Sequence, residues 1–400
     1  MFNMNLTFEQ LEFRSMLKEF VNEKVKTLAL NPDRLQSFHK PILKELLNEI
    51  SELGLRSLTI PEKLGGVGGD LLTSCVVLEE ISVGDVDLAI TIGETSLLAG
   101  LFFEKLASDN QKDMYLNRFL EDPEFHLCFA GSYNNASDGW NYPEGKNQEI
   151  DMTLKAEVVS NEIVINGSVD FIINGPISDL IIAPVKLDQD YKLFIIEKCN
   201  NGIKCGEEIS TINPTETLWH HGICSSLEFS NCRISVDNML NSLDNNIEFF
   251  KRKLVQKAAI NLGVGRAAFE AAVEYAKIRY QGGANIIEHQ AIGKMIADMT
   301  IKIEHARTML WKTAWAIDNA KTISDFSINN LPFEIITSSF TAETMQEVAH
   351  LSAECFGAMG VMRDMPLQKY LNDSLIFLNS DTHNLSTKLR IADAVANLNQ

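Results

Sequence analysis

The chain has 400 residues, 45% hydrophobic and 22% charged, which suits two or three packed units and excludes a disordered chain. Its formal net charge of −19 excludes a general nucleic-acid binder, because that function needs basic surface to neutralise phosphates. No basic stretch followed by an apolar one opens the chain and no run approaches ~18 uninterrupted apolar residues, so neither a signal peptide nor a membrane span is expected. The seven cysteines form no CxxC pair and the histidines are scattered, apart from the adjacent His220 and His221. The expectation is reduced thiols in a cytoplasmic protein with no metal site.

Residues 1–124 read as helical. Thr7 with Gln10 fits a capping box, and an apolar stripe follows at Phe13, Leu17 and Phe20. Ile42, Leu46, Ile50 and Leu53 form a second stripe, stopped by Gly54. Gly65–Gly69, GGVGG, lacks the GK[ST] and the strand–helix setting of a phosphate loop, so it reads as a tight turn. Leu71–Ser82 reads as a buried helix, and helical character resumes from Glu94 through Leu97, Leu98, Leu101 and Phe102.

Residues 125–236 change period. LKAEVV, EIVINGSVDFIING, DLIIAPVKL, KLFIIEK and SLEFSNCRISV are short strand-like runs bounded by turn residues. They predict an antiparallel barrel or sandwich, with NGS as a hairpin turn. Residues 237–400 return to helix. One stripe is Ala258, Leu262, Gly265, Phe269, Val273 and Ala276; another is Ile292, Ile296, Met299, Ile303, Ala306 and Leu310. A third helix runs from Phe333 to Phe356, and the segment after NSDTHN supplies the fourth helix of a bundle. The fold class is therefore α+β: an N-terminal helical domain, a middle β domain and a C-terminal four-helix bundle. The cations of KRKLVQK, Lys251–Lys257, stand at the start of the long helix, against its dipole, and mark either an anion site or a solvated patch.

Five segments then carry a resemblance. IPEKLGG, FIING, GVGRAAFEAAVEYAKIRYQGG, EHQAIGKMIADM and CFGAMGVMRDMPLQKYLND stand in the order and spacing of the acyl-CoA dehydrogenase family. The chain resembles that family from about residue 8 to 396. The resemblance implies FAD between the β domain and the bundle, and desaturation of an acyl thioester. A carboxylate removes the α-proton, hydrogen bonds to the carbonyl stabilise the enolate, and the flavin takes a hydride from the β-carbon.

Residue by residue, the resemblance puts Ser132 where a Thr contacts the flavin, Phe171 where a Trp flanks its ring, and Ile173 where another Thr stands. Arg279 and Gln281 match positions that reach FAD across a subunit interface. Glu354 replaces a Gln on the ADP side, Gly357 is kept beside it, and Thr382 and His383 replace a Gly-Thr near the flavin. Lys251 and Leu254 replace the D-x-x-R that handles the acyl chain and CoA, and a catalytic Glu of some branches falls on Lys253. Asp381 falls on the usual catalytic Glu, with Lys388 on the Arg of the same motif; the plain alternative is that Asp381 caps the last helix. Glu94 is a second candidate base, on a helix that should line the acyl pocket; its plain reading is a solvent-facing residue.

The implied substrate is an acyl-CoA or a carrier-protein-bound acyl group, with a separate electron acceptor and a homodimer or homotetramer as the assembly. The altered positions keep two alternatives open: a flavin-dependent oxidase or monooxygenase, and a non-catalytic member that has lost FAD.

Overall fold

The structure, a computed structural model, describes residues 5–36, 41–131, 153–188, 190–205, 220–241, 245–319, 331–380 and 385–396. α1 (Phe8–Phe20) opens with the expected capping box: Thr7 Oγ1 accepts from the Gln10 N–H at 3.2 Å, and Gln10 Oε1 accepts from the Thr7 N–H at 2.9 Å. A π-helical turn leads to the short α2 (Lys26–Ala29) and α3 (Pro32–Gln36), and α4 (Lys44–Glu52) follows. The GGVGG segment is a turn that uses its own amides. Gly68 N–H donates to Ile60 O at 2.8 Å and Gly69 N–H to Leu58 O at 2.7 Å, so neither is free for a phosphate.

α5 (Leu71–Gly84) and α6 (Val86–Leu101) are buried along nearly their whole length, with Asp70 and Asp85 as their N-caps. The stretch Val86–Leu106 is long and apolar enough to cross a membrane by length and composition alone. Here it is a core helix, with 89% of its most apolar window inside the protein. α7 (Asp109–Glu121) completes the N-terminal helices.

Seven strands form one sheet: β1 (His126–Phe129), β2 (Lys155–Val159), β3 (Glu162–Ile173), β4 (Ser178–Leu187), β5 (Asp190–Glu197), β6 (Ile203–Cys205) and β7 (Cys224–Ser235). Their order is β1-β4-β2-β3-β7-β6, with β5 paired to β4. The sheet is mixed, not purely antiparallel, because β1 and β2 both pair parallel with β4. Parallel pairing needs a long connection, and the residues between β1 and β4 supply one. NGS is not a hairpin: β3 runs straight through Asn166, Gly167 and Ser168, and a Cβ on Gly167 would stand 2.4 Å from Thr153 O. The β2–β3 turn lies at Ser160 and Asn161, both at positive φ as a two-residue hairpin turn requires.

The C-terminal helices are α8 (Asn245–Ile278), α9 (Gln290–Asp318), α10 (Phe333–Phe356), α11 (Pro366–Asn379) and α12 (Leu385–Ala396). A small hairpin of β8 (Tyr280–Gln281) and β9 (Ala284–Asn285) joins α8 to α9. Two expectations change. α8 starts at Asn245, so KRKLVQK lies on later turns rather than at the helix start. The helix that packs against both α8 and α10 is α11, whereas α12 lies against α10.

The hydrophobic core explains how these parts meet. One cluster, including Ile81, Leu88, Leu262, Met345 and Phe377, joins the N- and C-terminal helices. A second, including Leu98, Phe102, Phe119, Ile182 and Phe249, fastens α6 and α7 to the sheet. A third lies within the sheet, around Ile165, Ile181, Phe194 and Phe229. The first half of α6 feeds one cluster and its second half the next, so residues near 94 stand where the two cores meet.

Candidate active site

Glu94 occupies that crossing point, 5% exposed, and is not the solvent-facing residue that its type suggests. Its Oε1 accepts a hydrogen bond from Lys253 Nζ at 2.8 Å. Lys253 comes from α8, is 19% exposed, and lies 5.3 Å over the Phe249 ring. A buried carboxylate costs several kcal/mol unless paired, and this ammonium supplies the pairing.

The end of β3 approaches the same place. The register slips between Val169 and Ile172, and Phe171 takes a φ of +57°, a strained value for a bulky residue. The bulge turns the Phe171 ring outward, where it is 52% exposed. Asn174, fully buried, fastens this turn to α6: its Nδ2 donates to Thr91 O at 2.9 Å and to Thr95 Oγ1 at 3.0 Å. Thr95 in turn bonds His126 Nδ1 at 2.9 Å, and burial pushes the His126 imidazole down to about 3.

The segment before β7 closes the wall. A Cβ on Gly222 would lie 2.7 Å from Ile90 Cγ2 and 3.7 Å from Ile173 Cγ2, so α6 and the β3 end both touch this residue. Gly222 N–H donates to Asp87 Oδ1 at 2.8 Å. His221 stacks on Phe377 of α11, with centroids 4.7 Å apart, and its Nε2 lies 3.1 Å from Asp373 O. Its Nδ1 is 3.8 Å from Asp87 Oδ1. Burial would raise the Asp87 carboxyl, but His221, Lys369 and the Gly222 N–H outweigh it and hold it well below the carboxylate range. Lys369 pairs with Asp373 at 2.6 Å, both buried. The last turn of α11 is thereby tied to α6 through His221. Cys224, three residues after His221, is no nucleophile, because burial pushes its thiol up to about 12.

The other sequence candidates are dispersed. Arg279 ends α8 exposed, and its side chain has no partner among the described residues. Gln281 and the turn at Gly282 and Gly283, φ +66° and +90°, follow it in the β8–β9 hairpin. Ile173 is half-buried. Glu354 is exposed, with Oε1 3.2 Å from His350 Nε2, and a Cβ on Gly357 would meet nothing within 4 Å. Lys251 is exposed and Leu254 half-buried. Between them Arg252 pairs with Glu248 at 3.0 Å and Asp318 at 2.7 Å, which makes that part of KRKLVQK a structural clamp. Lys388 pairs with Glu343 on the surface at 2.6 Å. Ser132, Asp381, Thr382 and His383 lie outside the described residues. Among the described residues, no three His, Cys, Asp or Glu side chains gather as a metal site.

The structure brings together Glu94, Ile173 and the end of α11, and adds residues that sequence reasoning missed: Asp87, Asn174, His221 and the pairing of Lys253. Asn174 carried a signal in the FIING motif. Asp87 and His221 carried none, because their roles arise from packing between distant segments.

Comparison with known proteins places this geometry. Residues 7–122 match the model of the acyl-CoA dehydrogenase N-terminal domain, and residues 247–378 that of the C-terminal domain. The short-chain-specific acyl-CoA dehydrogenase of Clostridium acetobutylicum is 27% identical over 387 residues, 93% of this chain and 94% of that one. The solved butyryl-CoA dehydrogenase of Megasphaera elsdenii superposes with a TM-score of 0.81 at 23% identity, covering 99% of this chain and 100% of the other. The prolyl acyl carrier protein oxidase AnaB does so with a TM-score of 0.78 at 18% identity, covering 99% and 100%. Matched at both ends by the family models and along nearly its whole length by such relatives, the chain belongs to the acyl-CoA dehydrogenase family.

Proposed function

We propose that the protein is an FAD-dependent dehydrogenase that desaturates an acyl thioester, with Asp381 as the base. The observation that carries this reading is the meeting of the β3 end, α6 from Asp87 to Thr95 and the last turn of α11 on one wall, in a chain of this family.

The residues present fit FAD. Phe171 is an exposed aromatic ring on a strained bulge, suited to lie against a planar ring system. Arg279 is an exposed guanidinium with no partner among the described residues, a forked donor suited to a phosphate. Gly357 leaves open space beside Glu354, whose charge His350 faces. Phe171 and Ile173 would hold the ring end, and Arg279, Gln281, Glu354 and Gly357 the ADP end. When bound, FAD supplies the hydride acceptor for the β-carbon.

The protein's own residues handle the proton. In the sequence, Asp381 directly follows the α11 end that His221 ties to α6. An Asp is one methylene shorter than the family's Glu, and about 1 Å of misplacement costs ~10²-fold in rate. Glu94 is the weaker base candidate, since its oxygen already accepts from Lys253, and protonating it would strand a buried ammonium. Loss of the D-x-x-R pair, replaced by the exposed Lys251 and half-buried Leu254, favours an acyl group read near its thioester, on CoA or on a carrier protein. Arg279, exposed and without a partner among the described residues, favours a homodimer or homotetramer in which it reaches a neighbour's cofactor.

Anaerobic mixing of the purified holoenzyme with acyl thioesters tests the reading. Wild type bleaches its flavin; Asp381→Asn bleaches about 10³-fold more slowly at unchanged FAD content. Bleaching at the wild-type rate in Asp381→Asn would falsify the assignment and transfer the proton to Glu94.

A further inference from the structure

The Glu94–Lys253 pair is incomplete. An ammonium has three N–H donors, and the described residues give Lys253 one hydrogen-bond acceptor, Glu94 Oε1. The second oxygen of Glu94 has no hydrogen-bond partner among them either. The pair is too enclosed for full hydration, at 19% and 5% exposed.

A second observation lies one turn earlier on α6. Thr91 is completely buried, and among the described residues its Oγ1 has no partner; the Oδ1 of Asn174, also completely buried, has none among them either. Asn174 directly follows Ile173 at the β3 end, and its amide bonds the Thr91 carbonyl. Unsatisfied buried polar groups are rare and point to a missing partner. Donors and acceptors without partners therefore run along α6 from Thr91 to Glu94, beside the residues assigned above to the flavin ring.

We infer that Lys253, held by Glu94, contacts the acyl group itself and selects a neutral polar one, bearing a hydroxyl or a carboxamide. Such a group accepts from the ammonium and donates to the carboxylate. A plain hydrocarbon satisfies neither. A carboxylate would meet Glu94, and an amine would meet Lys253. The inference rests on the desaturation reading for the place of the acyl group, not for the chemistry of the pair.

The test uses pantetheine thioesters, the part that CoA and a carrier protein share. Butyryl-, 4-hydroxybutyryl-, succinamoyl- and succinyl-pantetheine are compared for binding by calorimetry and for anaerobic flavin bleaching. A site built to bond a hydroxyl or amide rejects the analogue that lacks it, so wild type should favour the hydroxy and amide compounds over butyryl by about 10²-fold or more. Lys253→Met should bring that ratio near one. The double variant Lys253→Met/Glu94→Gln leaves no buried lone charge and should show the same collapse if the single variant folds poorly. Equal use of butyryl by wild type, a preference for succinyl, or an unchanged ratio in both variants overturns the inference. Binding that follows the hydroxyl and depends on Lys253, without bleaching by any thioester, upholds it and sinks the desaturation reading instead.

Discussion

Two buried charge clusters lie along α8, one shared with α5 and one with α6, and they differ in completeness. Arg266 of α8 meets Glu79 at 2.7 Å, Glu80 at 2.8 Å and Glu270 at 3.2 Å. Arg307 adds 2.8 Å to Glu79, and Arg14 adds 2.8 Å to Glu80. Burial would raise the Glu80 carboxyl, but Arg266 and Arg14 outweigh it and hold it low, while the Arg266 guanidinium is held firmly charged. Lys253 and Glu94, by contrast, have no other hydrogen-bond or ion-pair partner among the described residues, and only the Phe249 ring lies beneath the ammonium. A cluster in which every carboxylate has cationic partners fixes how helices pack. The donor left over in the arginine cluster, Arg266 Nε, still lies 3.2 Å from Glu270 Oε1, whereas the Lys253 ammonium has two donors over and is available to a ligand.

The largest expected break of this contrast is Arg266→Met. It leaves the buried Glu79 only Arg307 and the buried Glu80 only Arg14, and chemical denaturation should show a loss of about 3 kcal/mol. The preference among thioesters should stay as in wild type, because this cluster touches no ligand. A loss below 1 kcal/mol would mean the cluster is dispensable and the contrast wrong.

The next effect comes from His126, which sits between the two cores. Its folded value of about 3 lies below the ordinary 6.5, so the unfolded chain binds the extra proton between those values. The stabilisation is complete above pH 6.5 and is lost as pH falls toward 3, with a slope of up to about 1.4 kcal/mol per pH unit. His126→Gln should flatten that part of a stability profile measured by urea denaturation. An equally steep profile in the variant would assign the acid sensitivity elsewhere.

Arg279 gives the smallest effect on the fold and separates the two kinds of site most cleanly. Exposed and without a partner among the described residues, it should be replaceable by Ala within about 0.5 kcal/mol of stability. FAD affinity should fall about tenfold, read by titrating the apoprotein. Unchanged affinity would remove Arg279 from the cofactor's phosphates.

Much of the architecture was legible because it follows local rules. The Thr7–Gln10 capping box, the boundaries of α10 and the family's ordered motifs all stood in the sequence. α11 was not, since Lys369 and Asp373 lie on its buried face and interrupt the apolar stripe that marks a helix; they are tolerable there only as a pair. The NGS turn misled because Gly167 serves the close approach of Thr153, not a reversal of the chain. The parallel pairings of β4 left no trace in strand composition.

The site divides along the same line. FIING and the α8 motif could be read directly, since each is a continuous segment whose residues take their roles from neighbours in the chain. Whether Glu94 faced water or a cation could not be read, because its partner lies 159 residues away. The same holds for His221, whose contacts come from α6 and α11. By itself the sequence determined the helical and extended periods, the caps and the family, all of which are fixed by short-range geometry and pattern. Only the tertiary structure decided which charges are complete and which are not. That property belongs to no single segment: it depends on which side chains the packing of three distant elements leaves without a partner.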